Sequence, residues 1–164
     1  MLELGAGAGA NFAHYPAGLR VIATEPDEYM FARALKRLSK VSTVDVTLKL
    51  ADAQALPFTN ESFDTVVGTL VFCTIPDPMK ALAEAMRVLK PGGKLLLMEH
   101  IRGPDPIRGI TEDIIAPVWK VMAGGCHINR NTTEMIGKVG FQIRDIRSHF
   151  MGLQIVEIVA SKPA

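Results

Sequence analysis

Two β-rich runs, 141–148 and 153–161, close the chain and are joined only by the short turn around Phe150-Met151-Gly152. A parallel return needs a crossover of a dozen or more residues, so these two strands must run antiparallel. Everything before them alternates short apolar strands with helical patterns, the sequence form of an open, largely parallel sheet covered on both faces. Together they specify an α/β chain with a Rossmann-like, doubly wound, mostly parallel seven-stranded sheet that ends in an antiparallel C-terminal hairpin. Parallel strands are expected at 2–4, 20–24, 46–50, 63–69 and 94–99. A helix over 27–39 would place Met30, Phe31, Ala34, Leu35 and Leu38 on one face, and one over 78–89 would do the same with Met79, Leu82, Ala83, Met86 and Leu89. Pro78 suits a first helical turn, and Lys90-Pro91-Gly92-Gly93 reads as a stop and turn. After His100 the rhythm changes: Gly103-Pro104-Asp105-Pro106 reads as a loop, 111–122 as a helix, and Gly124-Gly125-Cys126-His127 as its break. A substrate-binding insertion belongs there. Asn131 and Glu134 form a capping box for a short helix that Gly140 closes.

Residues 1–164 suit one domain, and 48% hydrophobic with 21% charged residues is ordinary for a globular chain. A net charge of +1 removes the electrostatic case for a nucleic-acid partner, since Arg33, Lys36, Arg37 and Lys40, the densest basic patch, read as a solvated helix face. Cys73 and Cys126 are too few for a disulfide framework and form no C-x-x-C pair, which fits a reducing, cytoplasmic setting. No apolar run approaches the roughly 18 residues needed to span a bilayer, and no charged-then-apolar leader precedes the first strand.

The chemistry is concentrated at the N-terminus. Met1-Leu2-Glu3-Leu4-Gly5-Ala6-Gly7-Ala8-Gly9 is a short apolar strand running into a glycine-rich turn, and Ala10-Asn11-Phe12-Ala13-His14-Tyr15 can begin a helix whose free N–H groups face a ligand. The natural occupant is a nucleotide-like cofactor. Gly5, Gly7 and Ala10 also satisfy the G-x-G-x-x-[GA] dinucleotide pattern, with Glu25 at the distance of a ribose-binding acid, so the turn alone leaves a nicotinamide-dependent oxidoreductase open.

The rest of the chain narrows this. The E-x-G-x-G-x-G loop from Glu3 to Gly9, Glu25 at the end of the second strand, Asp52-Ala53 followed by Leu56-Pro57-Phe58, Phe63-Asp64, and Arg87-Val88-Leu89-Lys90-Pro91-Gly92-Gly93 stand in the order and spacing of the class I S-adenosylmethionine-dependent methyltransferases, which this chain resembles in their type-11 branch. Within that class, Gly9-Ala10-Asn11-Phe12, Tyr15-Pro16, Thr69-Leu70-Val71, Cys73, Glu99-His100, Trp119-Lys120 and Gly125-Cys126 look like the methyltransferase-like thiol methyltransferases and their bacterial relatives. The [DN]-P-P-[YF] motif of enzymes acting on planar nitrogens is replaced here by Gly68-Thr69-Leu70-Val71.

The resemblance implies S-adenosyl-L-methionine as cofactor, and methyl transfer to a small, lipophilic acceptor. A thiol is favoured, with an amine or a phospholipid headgroup as the variation. A catalytically silent cofactor-binding domain is the further alternative. Glu25 would accept from the ribose hydroxyls, Asp52 from the adenine amine, and the Ala53 N–H would meet a ring nitrogen, with Leu56 and Phe58 beside the base or in the core. Glu3 would pair with the cofactor's ammonium, Thr69 and Leu70 would border its methionine portion, and Gly5, Ala6, Gly7, Gly9, Asn11 and Pro26 complete the cofactor set. His100 and His127 are the candidate bases, each with an adequate role as a loop or strand-end residue. Phe72 and Trp119 either line a substrate pocket or pack in the core. A metal site from His100, Cys126 and His127 matches no familiar zinc spacing, and none is expected. The resembling proteins carry an N-terminal covering segment, absent before Met1 here, so an exposed apolar patch near Phe12, Tyr15 and Trp119 is expected, with a homodimer as its simplest cover. Peripheral membrane association stays open.

Overall fold

A computed structural model describes residues 1–41, 43–103, 105–150 and 153–164, with Phe150 described for its backbone alone. Strands β1 (Leu2–Leu4), β2 (Arg20–Glu25), β3 (Asp45–Leu50), β4 (Phe63–Thr69), β5 (Leu89–His100), β6 (Gln142–Phe150) and β7 (Gln154–Ser161) form one seven-stranded sheet in the order β3-β2-β1-β4-β5-β7-β6. The first five are parallel, while β7 runs antiparallel to both β5 and β6. Of the turn expected around Phe150-Met151-Gly152, Phe150 ends β6 and Met151-Gly152 lie outside the described residues.

Helices α1 (Glu28–Leu38), α2 (Pro78–Val88), α3 (Pro106–Met122) and α4 (Thr132–Val139) start where the sequence supplies a cap: the side chains of Asp27, Asp77, Asp105 and Asn131 each accept an N–H of the first turn. Gly140 ends α4 at φ 104°, in the left-handed conformation expected of it. Helix α1 packs on β2 and β3, and α2 on β5 and α4.

Several expectations need correction. Helix α3 begins at Pro106 rather than at 111, because Asp105 caps it and Pro106 occupies its first turn, where a missing N–H costs nothing. The segment from Ala10 to Tyr15 forms only a single 3-10 turn, Phe12–His14. Lys90-Pro91-Gly92-Gly93 does not end one element and start another. It is an irregularity within β5, whose pairing with β4 shifts between Phe63 and Thr65. On α2 the buried stripe is Ala81, Leu82, Ala85 and Val88, while Met79 and Ala83 face out; on α1 only Ala34 is fully covered and Leu35 is exposed.

The main core joins Leu2, Leu4, Val66, Leu95 and Leu97 of the central strands to Leu82 and Val88 of α2 and Ile136 of α4. Phe72 belongs to this core and is wholly buried. A second cluster, with Phe12, Val21, Ala23 and Ala34, lies under α1, and a third, with Cys73, Ala116, Cys126 and Ile128, lies under α3. The exposed apolar patch expected near Phe12, Tyr15 and Trp119 lies only at the last of these: Phe12 is buried, and the outer stripe of α3, formed by Ile107, Ile110, Ile114, Val118, Val121 and Met122, runs past Trp119. Among the described residues no helix is long and apolar enough to cross a membrane.

Candidate functional site

The order of the sheet reverses between β1 and β4, and a cleft of about 610 Å³ opens there, outside the carboxyl ends of the strands, where open α/β sheets bind ligands. Its floor is the glycine turn after β1. Gly5 and Gly9 take φ of 61° and 76°, and a Cβ on them would lie 2.2 Å from Val71 Cγ2 and 2.5 Å from the Phe12 ring respectively, so no other residue fits without moving the wall.

Glu25 fixes the turn from β2. Its Oε2 accepts the Gly7 N–H at 2.7 Å and its Oε1 the Asp27 N–H at 3.0 Å. Each oxygen keeps a second lone pair, and Glu25 and Pro26 line the cleft. Glu3 is buried behind the turn. Its Oε1 accepts from the Asn11 side-chain amide at 2.8 Å, which also donates to Thr69 Oγ1 at 3.1 Å, tying the ends of β1 and β4 together. Glu3 Oε2 makes no hydrogen bond of good geometry among the described residues, but the buried Tyr15 hydroxyl stands beside the carboxyl, and burial raises the Glu3 pKa above the ordinary glutamate value against the pull of the Asn11 amide and the Tyr15 hydroxyl.

On the opposite side, both Asp52 oxygens are held by Gln54, through its backbone N–H at 2.8 Å and its side-chain amide, and Gln54 Oε1 accepts the Asp77 N–H that precedes α2. Asp52, Ala53 and Gln54 line the cleft. Leu56 and Phe58 turn instead to the core, where the Phe58 and Phe63 rings meet edge-to-face at 5.1 Å. The loop carrying them is clamped by Arg87, which donates to Leu56 O, Phe58 O and Asn60 Oδ1 and to both oxygens of Glu84, while Glu84 Oε2 accepts the Leu56 N–H.

Leu70, at the end of β4, adopts φ 52°, a left-handed conformation that costs a non-glycine residue about 1–2 kcal/mol. Its N–H donates to Met98 O at 2.7 Å and it lines the cleft. The turn is held open by Glu99, fully buried at the end of β5, whose carboxylate accepts the N–H groups of Val71, Phe72 and Cys73 at 2.9, 2.9 and 3.1 Å. Burial outweighs these bonds and pushes its pKa up to about 7. Sequence reasoning missed this role; the one signal for it is an acid inside an otherwise apolar strand.

Of the sequence-derived cofactor residues, Gly5, Gly7, Glu25, Pro26, Asp52, Ala53 and Leu70 line the cleft, while Glu3, Ala6, Gly9, Asn11 and Thr69 stand behind its wall. Thr74, Ile75 and Pro76 are lining residues the sequence did not single out, and Val71 and Gly124, known only from a motif and a helix break, join them. Neither candidate base lines it: His100 Nδ1 lies 3.5 Å from Cys126 Sγ, and His127 Nδ1 lies 3.0 Å from Cys73 O. Trp119 packs on the cluster under α3.

A parallel sheet reversing at β1 and β4, a glycine turn anchored by a strand-end acid, and β7 inserted antiparallel between β5 and β6 define a Rossmann-like methyltransferase domain. The family model for the methyltransferase domain matches residues 2–97, and the chain belongs to this family. It is 35% identical over 152 residues to the thiol S-methyltransferase TMT1B of Rattus norvegicus, covering 86% of this chain and 59% of that protein. It is 38% identical over 100 residues to the demethylmenaquinone methyltransferase of Renibacterium salmoninarum, covering 60% of this chain and 40% of that one. The chain therefore spans about three fifths of the first of these relatives and two fifths of the second. A SAM-dependent methyltransferase from Methanosarcina mazei superposes with a TM-score of 0.76 at 19% identity, over 99% of this chain and 91% of that one. The cofactor of the family is S-adenosyl-L-methionine, and the residues present fit it: a turn with no room for a Cβ, a strand-end carboxylate with free lone pairs, and Asp52 and Ala53 on the far side of the cleft.

Proposed function

We propose that this chain binds S-adenosyl-L-methionine in the cleft and methylates the sulfur of a small, lipophilic thiol. The observation that carries the cofactor half is the glycine turn at the reversal of the sheet, with no room for a Cβ at Gly5 and pinned at Gly7 by Glu25, which itself lines the cleft. When bound, the cofactor supplies a methyl group already activated on a sulfonium. The chain's own work is then to hold, orient and exclude water. Glu25 positions hydroxyls through its remaining lone pairs, Asp52 and Ala53 offer an acceptor and an N–H at the far side, and the Glu99-braced turn presents Leu70 and Val71 as an apolar wall. Alignment of this kind is worth up to roughly 7–11 kcal/mol. His100 and His127 are already engaged with Cys126 and Cys73, so we assign transfer to alignment rather than to a dedicated base.

The thiol half is supported by the extent of the similarity. The match to the thiol S-methyltransferase covers 86% of the chain and so takes in α3 and the loop after it, on the acceptor side, whereas the 60% match to the quinone-modifying enzyme need not. With this reading go one domain over 1–164 and a reducing, cytoplasmic setting that keeps Cys73 and Cys126 as free thiols. The test is to incubate the purified chain with methyl-labelled S-adenosylmethionine and an alkyl thiol, with the matching amine and alcohol in parallel. Label in the thioether, with release of S-adenosylhomocysteine, is expected. Label in the amine alone, or reduction of NAD by an alcohol, would replace this reading with one of its rivals.

A further inference from the structure

The third buried cluster is unused by the cofactor cleft, and it gathers chemistry that apolar packing does not require. Cys73 comes from the turn after β4, His100 from the end of β5 and Cys126 from the loop after α3. One ligand atom from each lies within 4.8 Å of the other two, and Cys126 Sγ is 3.5 Å from His100 Nδ1. Cys73 is 1% and Cys126 6% exposed, and both are free thiols. The two loops are stitched together at this point, since Cys73 O accepts the His127 N–H at 2.8 Å.

Two thiols and an imidazole form a soft donor set of the kind that binds zinc. Tetrahedral zinc, with bonds of about 2.3 Å to sulfur and about 2.0–2.1 Å to nitrogen, places neighbouring ligand atoms about 3.6–3.8 Å apart. The cluster meets that spacing with shifts of about 1 Å or less. The surroundings divide the two thiols: the buried Trp119 indole N–H and His100 stand beside Cys126, whereas the Cys126 sulfur, burial and the Glu99 carboxyl push the Cys73 thiol up, so that both become anionic only with a cation between them. The Arg130 guanidinium, donating to Phe72 O and Ile75 O, is close enough to feel both sulfurs and Glu99. Glu99 itself spends its oxygens on three backbone N–H groups.

Three protein ligands leave tetrahedral zinc one open position, the pattern of reactive rather than structural sites. We propose that Cys73, His100 and Cys126 bind one zinc ion whose fourth position takes the acceptor thiol as thiolate. For its acceptor this rests on the thiol reading above; the metal site does not. On binding, the acceptor's S–H bond breaks and the proton passes to solvent. The sulfur replaces a coordinated water and keeps a lone pair for bond formation. The loops that carry the ligands also reach the cofactor cleft: Val71 and Thr74 on either side of Cys73, and Gly124 two residues before Cys126, line it, and the three ligands stand behind them.

Cobalt(II) is the probe. The chain is stripped with a chelator and titrated with cobalt. One equivalent is expected to bring near-ultraviolet thiolate-to-cobalt charge transfer and the intense visible bands of tetrahedral cobalt, and one equivalent of zinc should bleach both. Cys73→Ser and Cys126→Ser should each lose half or more of the charge transfer, and the double variant all of it, while S-adenosylhomocysteine binding and far-ultraviolet circular dichroism persist, which separates a lost ligand from a lost fold. Adding 1-hexanethiol should shift the visible bands, and 1-hexanol should not. Absence of charge transfer in the unsubstituted chain, or its undiminished intensity in Cys126→Ser, overturns the metal site even if a thiol is methylated. Bands that form but ignore the thiol overturn the acceptor role, whatever the methylation assay finds.

Discussion

Glu25→Ala probes the join between fold and cofactor. The side chain is 7% exposed and makes two charge-assisted bonds to backbone N–H groups, at 2.7 Å to Gly7 and 3.0 Å to Asp27. Alanine removes the acceptor that sets the glycine turn and leaves the Gly7 N–H to water. It also removes the lone pairs offered to the ribose. One charge-assisted bond contributes about 1.5–3 kcal/mol, and S-adenosylhomocysteine affinity should fall by about that much, or about 10- to 150-fold. Glu25→Gln keeps one acceptor oxygen and should fall between the two. Calorimetric titration with S-adenosylhomocysteine gives the affinity, with NAD as a ligand expected not to bind and circular dichroism as the check on folding. An affinity of folded Glu25→Ala within about threefold of the unsubstituted chain, a difference below about 0.7 kcal/mol, would refute the role given to this carboxylate.

Two further perturbations test the frame. Gly5→Ala puts a Cβ 2.2 Å from Val71 Cγ2 at φ 61°, so it combines a backbone cost of about 1–2 kcal/mol with an overpacking cost of about 1–3 kcal/mol; adding Val71→Ala should recover only the second, as read by thermal unfolding. An unchanged melting temperature in Gly5→Ala would contradict the geometry of the turn. Glu99 has a folded pKa of about 7, above its ordinary value of 4.5, so the folded chain holds a proton that the unfolded chain has released between those values. Its contribution to stability is complete below pH 4.5 and is lost as pH rises through 7, a fall of about 3 kcal/mol that denaturant titrations at several pH values should record and Glu99→Gln should flatten.

The strand pattern, the terminal hairpin and the Asn131 cap were legible because each is a local signal: alternation of apolar runs, too short a turn for a crossover, an Asn one residue before a helix with Glu three residues on; the Asp105 cap was hidden because the prolines around it read as a loop. The faces of α1 and α2 were less so. Large side chains draw attention to a stripe, but on α2 the tight approach to the sheet is made by Ala81 and Ala85, and Met79 is left outside. The glycine turn, Glu25 and Asp52 could be placed by order and spacing. The internal supports could not: Glu99 reaches the turn after the neighbouring strand, and Cys73, His100 and Cys126 meet only because β4 and β5 are adjacent and the loop after α3 folds back over their ends. No spacing along the chain encodes that meeting.

The Arg87 clamp has a mechanical consequence. One guanidinium holds three groups of the 56–60 loop and is itself held by Glu84, one turn earlier on α2, whose carboxylate also takes the Leu56 N–H. The Leu56 N–H, the one amide of the loop that Glu84 holds, is therefore expected to exchange together with the last turns of α2. At the other end of α2, Gln54 joins Asp52 to the N–H of Asp77. The side of the cleft assigned to the base is thus fastened to both ends of one helix, a single cooperative unit, and any ligand that steadies Asp52 slows exchange along the length of α2.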